Sequence, residues 1–337
     1  MLRHGFGASR AGAGILMLAL VGCGDDPAPQ VPAAAGGQAA APTTAQAAPY
    51  PVTVRNCGVD YTYTKAPERV ASASVPGSEL ILALGLQNRL AGVVGGPSVI
   101  TPDLQPRMES VNVITERTFP SPSREALLSV NPDFLIAGYT EVFAPSAAGD
   151  RGELKAFGLN SYLVQGKCGE KSGGATRLED TYADIESLGK IFNVPQEASA
   201  LVARLKAEAS AAQPATTKPK VLLYAAGAEK PSTSGANSLT SDLVVKAGGQ
   251  NVLAEIPDFG AFNWETVVER NPDVILVITT GSFSLETATG FLTSYEPIAG
   301  VNAVKNRRFV TVAVNDVQPS PRNGRALATI AKGLAGG

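Results

Sequence analysis

A repeated pattern constrains the fold of this chain more than any other feature of its sequence. Glu125–Asp133 reads EALLSVNPD and Glu265–Asp273 reads ETVVERNPD, and a short apolar run follows each copy. Each copy predicts a short helix with an acidic start, then an Asn-Pro-Asp turn, then a buried strand. Because the spacing is the same in both copies, we predict two lobes built on one supersecondary plan.

Short apolar strands alternate with short helices on both sides of the middle of the chain, which predicts parallel sheets covered by helices. In the middle, Asp180–Ala212 predicts two successive helices separated at Asn193–Pro195, and proline suits the first turn of the second one. The predicted fold class is therefore α/β, with two lobes that each hold a parallel-type sheet flanked by helices and a single long helix between them. The predicted boundaries are 52–194 for the N-terminal lobe, 195–213 for the bridging helix and 214–337 for the C-terminal lobe.

The start of the chain predicts export. Basic residues precede an apolar run, Ala11–Gly22, that is too short to span a bilayer and ends before Cys23. Leu-Val-Gly-Cys resembles a bacterial lipobox, which implies a signal peptide over 1–23 and a lipid on Cys23; an ordinary signal peptide with a chance cysteine is the alternative. Residues 24–51, rich in Ala, Pro and Gly, predict a flexible tether. We expect an extracytoplasmic body anchored to the bacterial membrane.

Two cysteines remain after that segment, Cys57 and Cys168. In an oxidising compartment such a pair predicts a disulfide, which closes a loop of about 110 residues and contributes roughly 4–5 kcal/mol by the chain-entropy estimate. Two free thiols are the alternative.

Composition excludes several functions. The net charge is −2, with no basic cluster, which argues against nucleic-acid binding. The single histidine is His4, inside the predicted signal peptide, so a His-ligated metal site and a Ser-His-Asp triad are excluded from the mature chain. Ser187–Lys190 matches S-x-x-K but lies inside a predicted helix without partner motifs. We expect a protein that is not an enzyme and has no catalytic residues, no metal site and no covalent cofactor; an extracytoplasmic enzyme and a surface adhesion module are the alternatives from other classes.

Several ordered segments together resemble one known family. They are ERVASASVPGSELILALGLQNRLAGVVG, PSREALLSVNPDFLIAG, IESLGKIFNVPQEA, NWETVVERNPDVILV and AVKNRRFVTVAVND. These segments resemble the periplasmic binding proteins of the iron–siderophore, haem and cobalamin type, which are the substrate-binding lipoproteins of ABC importers. The resemblance extends from about Val52 to Leu334. NCG at Asn56–Gly58 with the later Cys168 is similar to a subset that includes members described as deazaflavin-precursor transporters.

The resemblance implies a helical-backbone binding protein (class III) that acts as a monomer and delivers a small-molecule ligand to a permease dimer with its cytoplasmic ATPase. The family's permease-docking glutamates fall on Glu125 and Glu265; complementing a helix N-terminus is the simpler explanation for both. A ferric siderophore or another iron chelate is the default ligand, with cobalamin, haem and a deazaflavin precursor as competitors. The absence of histidine weakens the case for haem as the ligand, since its axial ligand would have to be Tyr or Met.

Ligands of open α/β sheets bind at the carboxyl ends of the strands, so the loops after the predicted strands supply the candidate ligand contacts. Trp264 and Tyr139 offer rings for stacking, and Arg117 and Arg322 offer charges for carboxylate or phosphate. For each of these four, packing onto its own lobe or simple solvation is the competing explanation. The full set of predicted ligand contacts is Ser74, Gly95, Arg117, Tyr139, Asn237, Phe262, Trp264, Thr280, Asp316 and Arg322.

Overall fold

The computed structural model of the chain describes residues 50–119, 121–164, 168 and 174–336. The predicted signal peptide, Cys23 and nearly all of the predicted tether lie outside these residues. The described part belongs to one compact unit, Thr44–Gly337. Below, the first lobe is the part of the chain built around the first parallel sheet, and the second lobe is the part built around the second.

The first lobe is a five-stranded parallel sheet preceded by an antiparallel hairpin. The strand order in the sheet is β5-β4-β3-β6-β7, so the chain starts in the middle and moves to one edge before it fills the other. The hairpin is β1 (Val52–Asn56) with β2 (Val59–Tyr63), and the sheet contains β3 (Val70–Ser72), β4 (Leu90–Val94), β5 (Val113–Thr115), β6 (Phe134–Ala137) and β7 (Asn160–Leu163), with helices α1 (Val75–Ala83), α2 (Arg124–Leu128) and α3 (Arg151–Ala156).

Two helices follow, α4 (Leu178–Phe192) and α5 (Pro195–Ser210). The break between the two helices lies at the predicted position, Asn193–Pro195. It forms there because Asn193 adopts the left-handed conformation (φ 58°) and Pro195 occupies the first turn of α5. The two helices pack closely at Gly189, where an added Cβ would lie 2.4 Å from the Cβ of Ala198. The first turn of α4 also contacts the second lobe, since Thr181 Oγ1 lies 2.9 Å from Asn323 Oδ1. Thus α5 does not connect the lobes alone.

The second lobe is a four-stranded parallel sheet in the order β10-β8-β12-β13. A small antiparallel pair, β9 (Ser232–Thr233) and β11 (Gly260–Ala261), lies beside it. The sheet contains β8 (Lys220–Tyr224), β10 (Gln250–Asn251), β12 (Val274–Thr279) and β13 (Phe309–Ala313), and the helices are α6 (Leu239–Lys246), α7 (Trp264–Arg270), α8 (Leu285–Ser294), α9 (Asn302–Lys305) and α10 (Asn323–Ala335).

The sequence repeat is a structural repeat. After α2 and after α7, Asn131 and Asn271 both adopt the left-handed conformation, each with φ 47°. The aspartates that follow hold the start of the neighbouring central strand, β3 or β8: Asp133 accepts from the backbone N–H of Arg69 at 2.9 Å, and Asp273 accepts from that of Lys220 at 2.9 Å. These contacts explain why an Asn-Pro-Asp turn recurs, because the asparagine tolerates positive φ and the aspartate satisfies backbone donors at the start of a paired strand.

Each sheet is covered on both faces, and one hydrophobic core is shared by the two lobes. Phe134 and Ile136 of the first sheet and Leu223 and Leu276 of the second belong to the same continuous cluster of buried side chains. Helices α4, α5 and α10 fill that cluster between the sheets. The outer faces carry separate cores under α2 and α3 and under α7 and α8. The predicted α/β fold class with two parallel sheets is confirmed, while the exact lobe boundaries remain a prediction.

Candidate functional site

A cavity of about 360 Å³ lies between the lobes, beside the carboxyl ends of strands from both sheets. Its first-lobe wall comes from the loop after β6 and the segment after β7; its second-lobe wall comes from the start of α6, the loop before β11 and the loop after β13. The described lining residues are Thr140, Cys168, Gly174, Thr176, Ser234, Asn237, Ser238, Leu239, Thr240, Asp258, Phe259, Val317, Gln318 and Pro319.

Backbone hydrogen bonds hold the two walls of this cavity together. The N–H of Thr176 donates to the carbonyl of Asn237 at 2.7 Å, which joins the segment before α4 to the segment before α6. The N–H of Asn237 in turn donates to the carbonyl of Pro257, also at 2.7 Å. Ser238 caps α6 by accepting from the N–H of Ser241. Backbone hydrogen bonds thus join the two lobes at the rim of the cavity.

Three side chains give this cavity its chemistry. Phe259 is a large apolar residue that remains 70% exposed, so its ring is available to a ligand. Asp258, next to it, is exposed and offers carboxylate acceptors. Gln318 Oε1 is buried, and no described residue donates to it. An unsatisfied buried acceptor costs free energy, but this one has no surface open to the cavity, so a ligand could reach it only after the Gln318 side chain moves.

A buried ion pair joins the lobes outside this cavity. Arg322, at the start of α10, donates from Nε to Glu79 Oε2 at 2.8 Å and from Nη2 to the carbonyl of Val99 at 2.6 Å. The Glu79 side chain is completely buried and that of Arg322 is 12% exposed. Burial alone lowers the pKa of Arg322, but the hydrogen bonds and charge of Glu79 outweigh it and raise that pKa. A protein carboxylate already occupies the Arg322 guanidinium, so a ligand anion at this predicted contact would have to compete with Glu79.

The structure places Trp264, another predicted ligand contact, away from this cavity. Trp264 is 5% exposed and its Nε1 donates to the carbonyl of Ala228 at 2.8 Å. Its ring packs against those of Tyr224, Phe262, Phe291 and Tyr295, with centroids 5.2 to 6.0 Å away. The indole therefore belongs to the outer core of the second lobe. Phe262 is half-buried in the same aromatic cluster.

The remaining predicted ligand contacts fall at different distances from the cavity. Asn237 lines it, and Tyr139 and Asp316 directly precede lining segments. Burial raises the pKa of the Tyr139 phenol, and the charge of Glu141 adds to that effect. Ser74 is buried as the N-cap of α1, which begins at Val75. The other three do not line the cavity: Gly95 is buried at the end of β4, and Arg117 and Thr280 are exposed.

Most residues that line the cavity are not among the predicted ligand contacts. Asp258 and Phe259 lie in the irregular segment before β11, and Gln318 lies in the loop after β13. The sequence does contain a signal for Ser238, because a serine just before an apolar helical run is typical of an N-cap and so indicates where α6 begins.

The two glutamates singled out by the repeat occupy equivalent and exposed positions. Glu125 follows the N-cap Ser123 by two residues in α2, and Glu265 follows the N-cap Asn263 by two residues in α7. Cys57 and Cys168 are bonded, with Sγ atoms 1.99 Å apart. This disulfide ties the turn of the β1–β2 hairpin to the cavity wall.

Two α/β lobes, a helical connection and a preformed cavity between them define a solute-binding architecture. Among residues 50–336, as far as the structure describes them, no helix has the length and hydrophobicity to cross a bilayer. The same residues hold no group of three or more His, Cys, Asp or Glu side chains suited to a metal ion.

Comparison with known proteins agrees with this architecture. Residues 70–313 match the family model described as periplasmic binding protein. The uncharacterized ABC transporter substrate-binding lipoprotein YvrC of Bacillus subtilis is 25% identical over 280 residues, which are 80% of this chain and 79% of YvrC. The chain therefore belongs to the periplasmic binding protein family, and the resemblance found in the sequence is confirmed.

Solved structures share the fold. A periplasmic binding protein from Veillonella parvula superposes with a TM-score of 0.73 at 24% identity, covering 85% of this chain and 97% of that one. An ABC-type Fe³⁺-hydroxamate transport protein from Saccharomonospora viridis gives 0.71 at 22% identity, covering 84% and 99%. The periplasmic haem-binding protein RhuT from Roseiflexus gives 0.63 at 24% identity, covering 80% and 98%. This chain is a binding protein of an ABC transporter and not an enzyme.

Proposed function

We propose that this protein is an extracytoplasmic lipoprotein that captures an iron chelate in the cavity between its lobes and delivers it to an ABC importer. The observation that carries the proposal is the cavity itself, formed by both lobes at the carboxyl ends of their strands in a chain of this family. The lipobox-like sequence before Cys23 supports a lipid anchor, and the lipoprotein relative supports it independently.

Two observations support an iron chelate with hydrogen-bond donors as the ligand. One structural neighbour is named for Fe³⁺-hydroxamate transport, and others are named for haem. Within the cavity, the exposed Asp258 carboxylate offers hydrogen-bond acceptors and Phe259 offers an apolar ring. Haem is less well supported, because no histidine follows His4 to serve as an axial ligand. Cobalamin and a deazaflavin precursor remain the alternatives.

Ligand identity can be tested directly. We expect a ferric trihydroxamate to raise the melting temperature of the purified protein in a thermal-shift panel that also contains haemin, cobalamin and a deazaflavin precursor. Phe259→Ala should weaken that stabilisation, while Phe157→Ala, an equally exposed phenylalanine that does not line the cavity, should not. Stabilisation by cobalamin alone, or by the deazaflavin precursor alone, would mean that this compound and not an iron chelate is the ligand.

The docking role of the glutamates gives the functional test. Glu125 and Glu265 are exposed and hold equivalent positions in the two lobes, which fits two equivalent permease subunits. We expect Glu125→Lys with Glu265→Lys to abolish uptake of the iron chelate into cells, because like charges then meet at both contacts. Ligand affinity of the purified double variant should be unchanged. Loss of that affinity would show that the glutamates act on the binding site instead.

A further inference from the structure

Asn323, the first residue of α10, lies behind the part of the cavity wall that the loop after β13 provides. Its side chain is 1% exposed and does not line the cavity. The amide nitrogen, Nδ2, donates to the backbone carbonyl of Asp316 at 2.8 Å and to that of Gln318 at 2.7 Å. Because Val317 and Gln318 belong to the cavity lining, these two hydrogen bonds hold the backbone of that wall.

The oxygen of the same amide has different partners. Oδ1 accepts from the backbone N–H of Ser320 at 3.1 Å and from the Thr181 hydroxyl at 2.9 Å. Thr181 belongs to α4, and both Thr181 and Ser320 are 0% exposed. One side chain therefore connects the cavity wall, the start of α10 and the helix that follows the first sheet.

The amide of Asn323 is saturated by these contacts. An asparagine side chain offers two N–H donors and an oxygen that accepts two hydrogen bonds, and all four positions are used inside the protein. The wall itself contains a single 3₁₀ turn, Val314–Val317, so its position depends on contacts of this kind. A side chain without the two donors would leave buried carbonyls of the wall without these partners.

We propose that Asn323 is a positioning residue for ligand binding. Without touching the ligand, it sets the place of the cavity wall around Val317 and Gln318, and through Thr181 it ties that place to α4. The inference rests on the proposed capture of a ligand in this cavity. A binding site is held in its productive geometry by buried hydrogen bonds behind it, so loosening them weakens binding even where no ligand contact is lost.

The test measures binding of a ferric trihydroxamate to the purified lipoprotein by isothermal titration calorimetry. We expect Asn323→Ala to weaken binding about tenfold, the scale of effects from residues outside the ligand contacts. Asn323→Asp should lose a similar factor, because it keeps an acceptor for Ser320 and Thr181 but cannot donate to the two carbonyls. Thr181→Val removes only the contact with α4 and should weaken binding less, by about threefold.

Asn251→Ala is the matched control for a loss of stability. Asn251 is 5% exposed, and its amide accepts from the N–H of Leu253 at 2.9 Å and donates to the Ser241 hydroxyl at 3.3 Å. Both bonds lie within the second lobe and neither involves the loop after β13. This variant should lose stability in urea titrations as Asn323→Ala does, while its ligand affinity stays within about twofold of the wild type.

Hydrogen–deuterium exchange of the ligand-free protein gives a readout that does not depend on the choice of ligand. Asn323→Ala and Asn323→Asp should speed the exchange of backbone amides in residues 314–319, and Asn251→Ala should not. Unchanged exchange there, wild-type affinity in either Asn323 variant, or an equal loss of affinity in Asn251→Ala would overturn the inference.

The same measurements separate this inference from the proposed function. If another compound of the thermal-shift panel binds instead of the trihydroxamate, that compound becomes the probe for the same variants. Failure of the wild-type protein to bind any of them would refute the proposed capture role. Exchange in residues 314–319 would then decide by itself whether Asn323 positions the wall.

Discussion

At the scale of single residues, the buried contact between Arg322 and Glu79 is a source of stability that could not be predicted from the sequence. Its guanidinium forms a two-pronged contact with Glu79, which is fully buried and also accepts from the N–H of Thr101 at 2.7 Å. Removing one partner of a buried pair leaves the other charge uncompensated. We therefore expect Arg322→Ala to lower the free energy of unfolding by about 3–5 kcal/mol in urea titrations followed by circular dichroism.

Arg325 provides the control for that experiment. It lies one turn further along α10 and pairs with Asp103 at 3.1 Å, but both side chains are about half exposed. Solvent screens such a pair, so Arg325→Ala should cost less than about 1 kcal/mol. Equal losses in the two variants would mean that the buried pair contributes no more than a surface one.

Two predicted ligand contacts, Trp264 and Arg322, already have partners within the protein, and the reason is the same for both. Their side chains are of types that suit ligands, but residues elsewhere in the fold occupy them. The partner of Arg322 lies 243 residues away, and that of Trp264 lies 36 residues away. Residue type indicates what a side chain can bind, whereas long-range packing decides whether it is free to do so.

At the scale of elements, the junction of α4 and α5 gives a sharp test. The close approach at Gly189 leaves no room for a methyl group, because the Cβ of Ala198 would lie 2.4 Å away and cannot rotate aside. Gly189→Ala should therefore destabilise the protein by about 1–3 kcal/mol through overpacking, in spite of the better helix propensity of alanine.

A second substitution across the same contact checks the cause. Ala198→Gly removes the clashing methyl group, so in the Gly189→Ala background it should restore part of the lost stability even though glycine alone costs about 1 kcal/mol in a helix. Simple additivity in this double-mutant cycle would show that the two positions are not coupled and that the destabilisation arises elsewhere.

Elements were predicted better than single residues because their signals are local. The break at Asn193–Pro195 and both Asn-Pro-Asp turns follow from backbone preferences of the residues that form them. The start of α1 is harder to predict, because Ser74 caps the helix with Pro76 in the first turn while a Val-Pro-Gly sequence resembles a loop. Whether a proline opens a helix or a turn depends on the N-cap before it, so Ser74 was the informative residue.

At the scale of the whole molecule, the shared core limits how far the lobes can move independently. Buried side chains of both sheets and of α4, α5 and α10 form one continuous cluster, and the Glu79–Arg322 pair adds a polar connection. Opening the lobes widely would expose part of this cluster to water, at about 25 cal/mol per Å² of apolar surface. Small rearrangements around a preformed cavity are therefore favoured over a large hinge motion.

The disulfide is the other device that acts on the whole first lobe. Cys57 and Cys168 are separated by 111 residues, and the bond fixes the hairpin turn to the segment that lines the cavity. Closing so long a loop removes conformational entropy from the unfolded chain and contributes about 4–5 kcal/mol in the chain-entropy model. Cys57→Ser with Cys168→Ser should lower the free energy of unfolding by that amount, measured by guanidinium denaturation.

Reduction supplies the internal control. A phosphine reductant should shift the denaturation midpoint of the wild type to that of the double serine variant and leave the variant unchanged, because only the bond differs between them. An unchanged wild-type midpoint would mean that residual contacts between the hairpin and the segment around Cys168 already restrict the unfolded chain, or that strain in the folded state offsets the entropy. The predicted size of the shift follows from loop length alone, so a smaller shift would indicate one of these two effects.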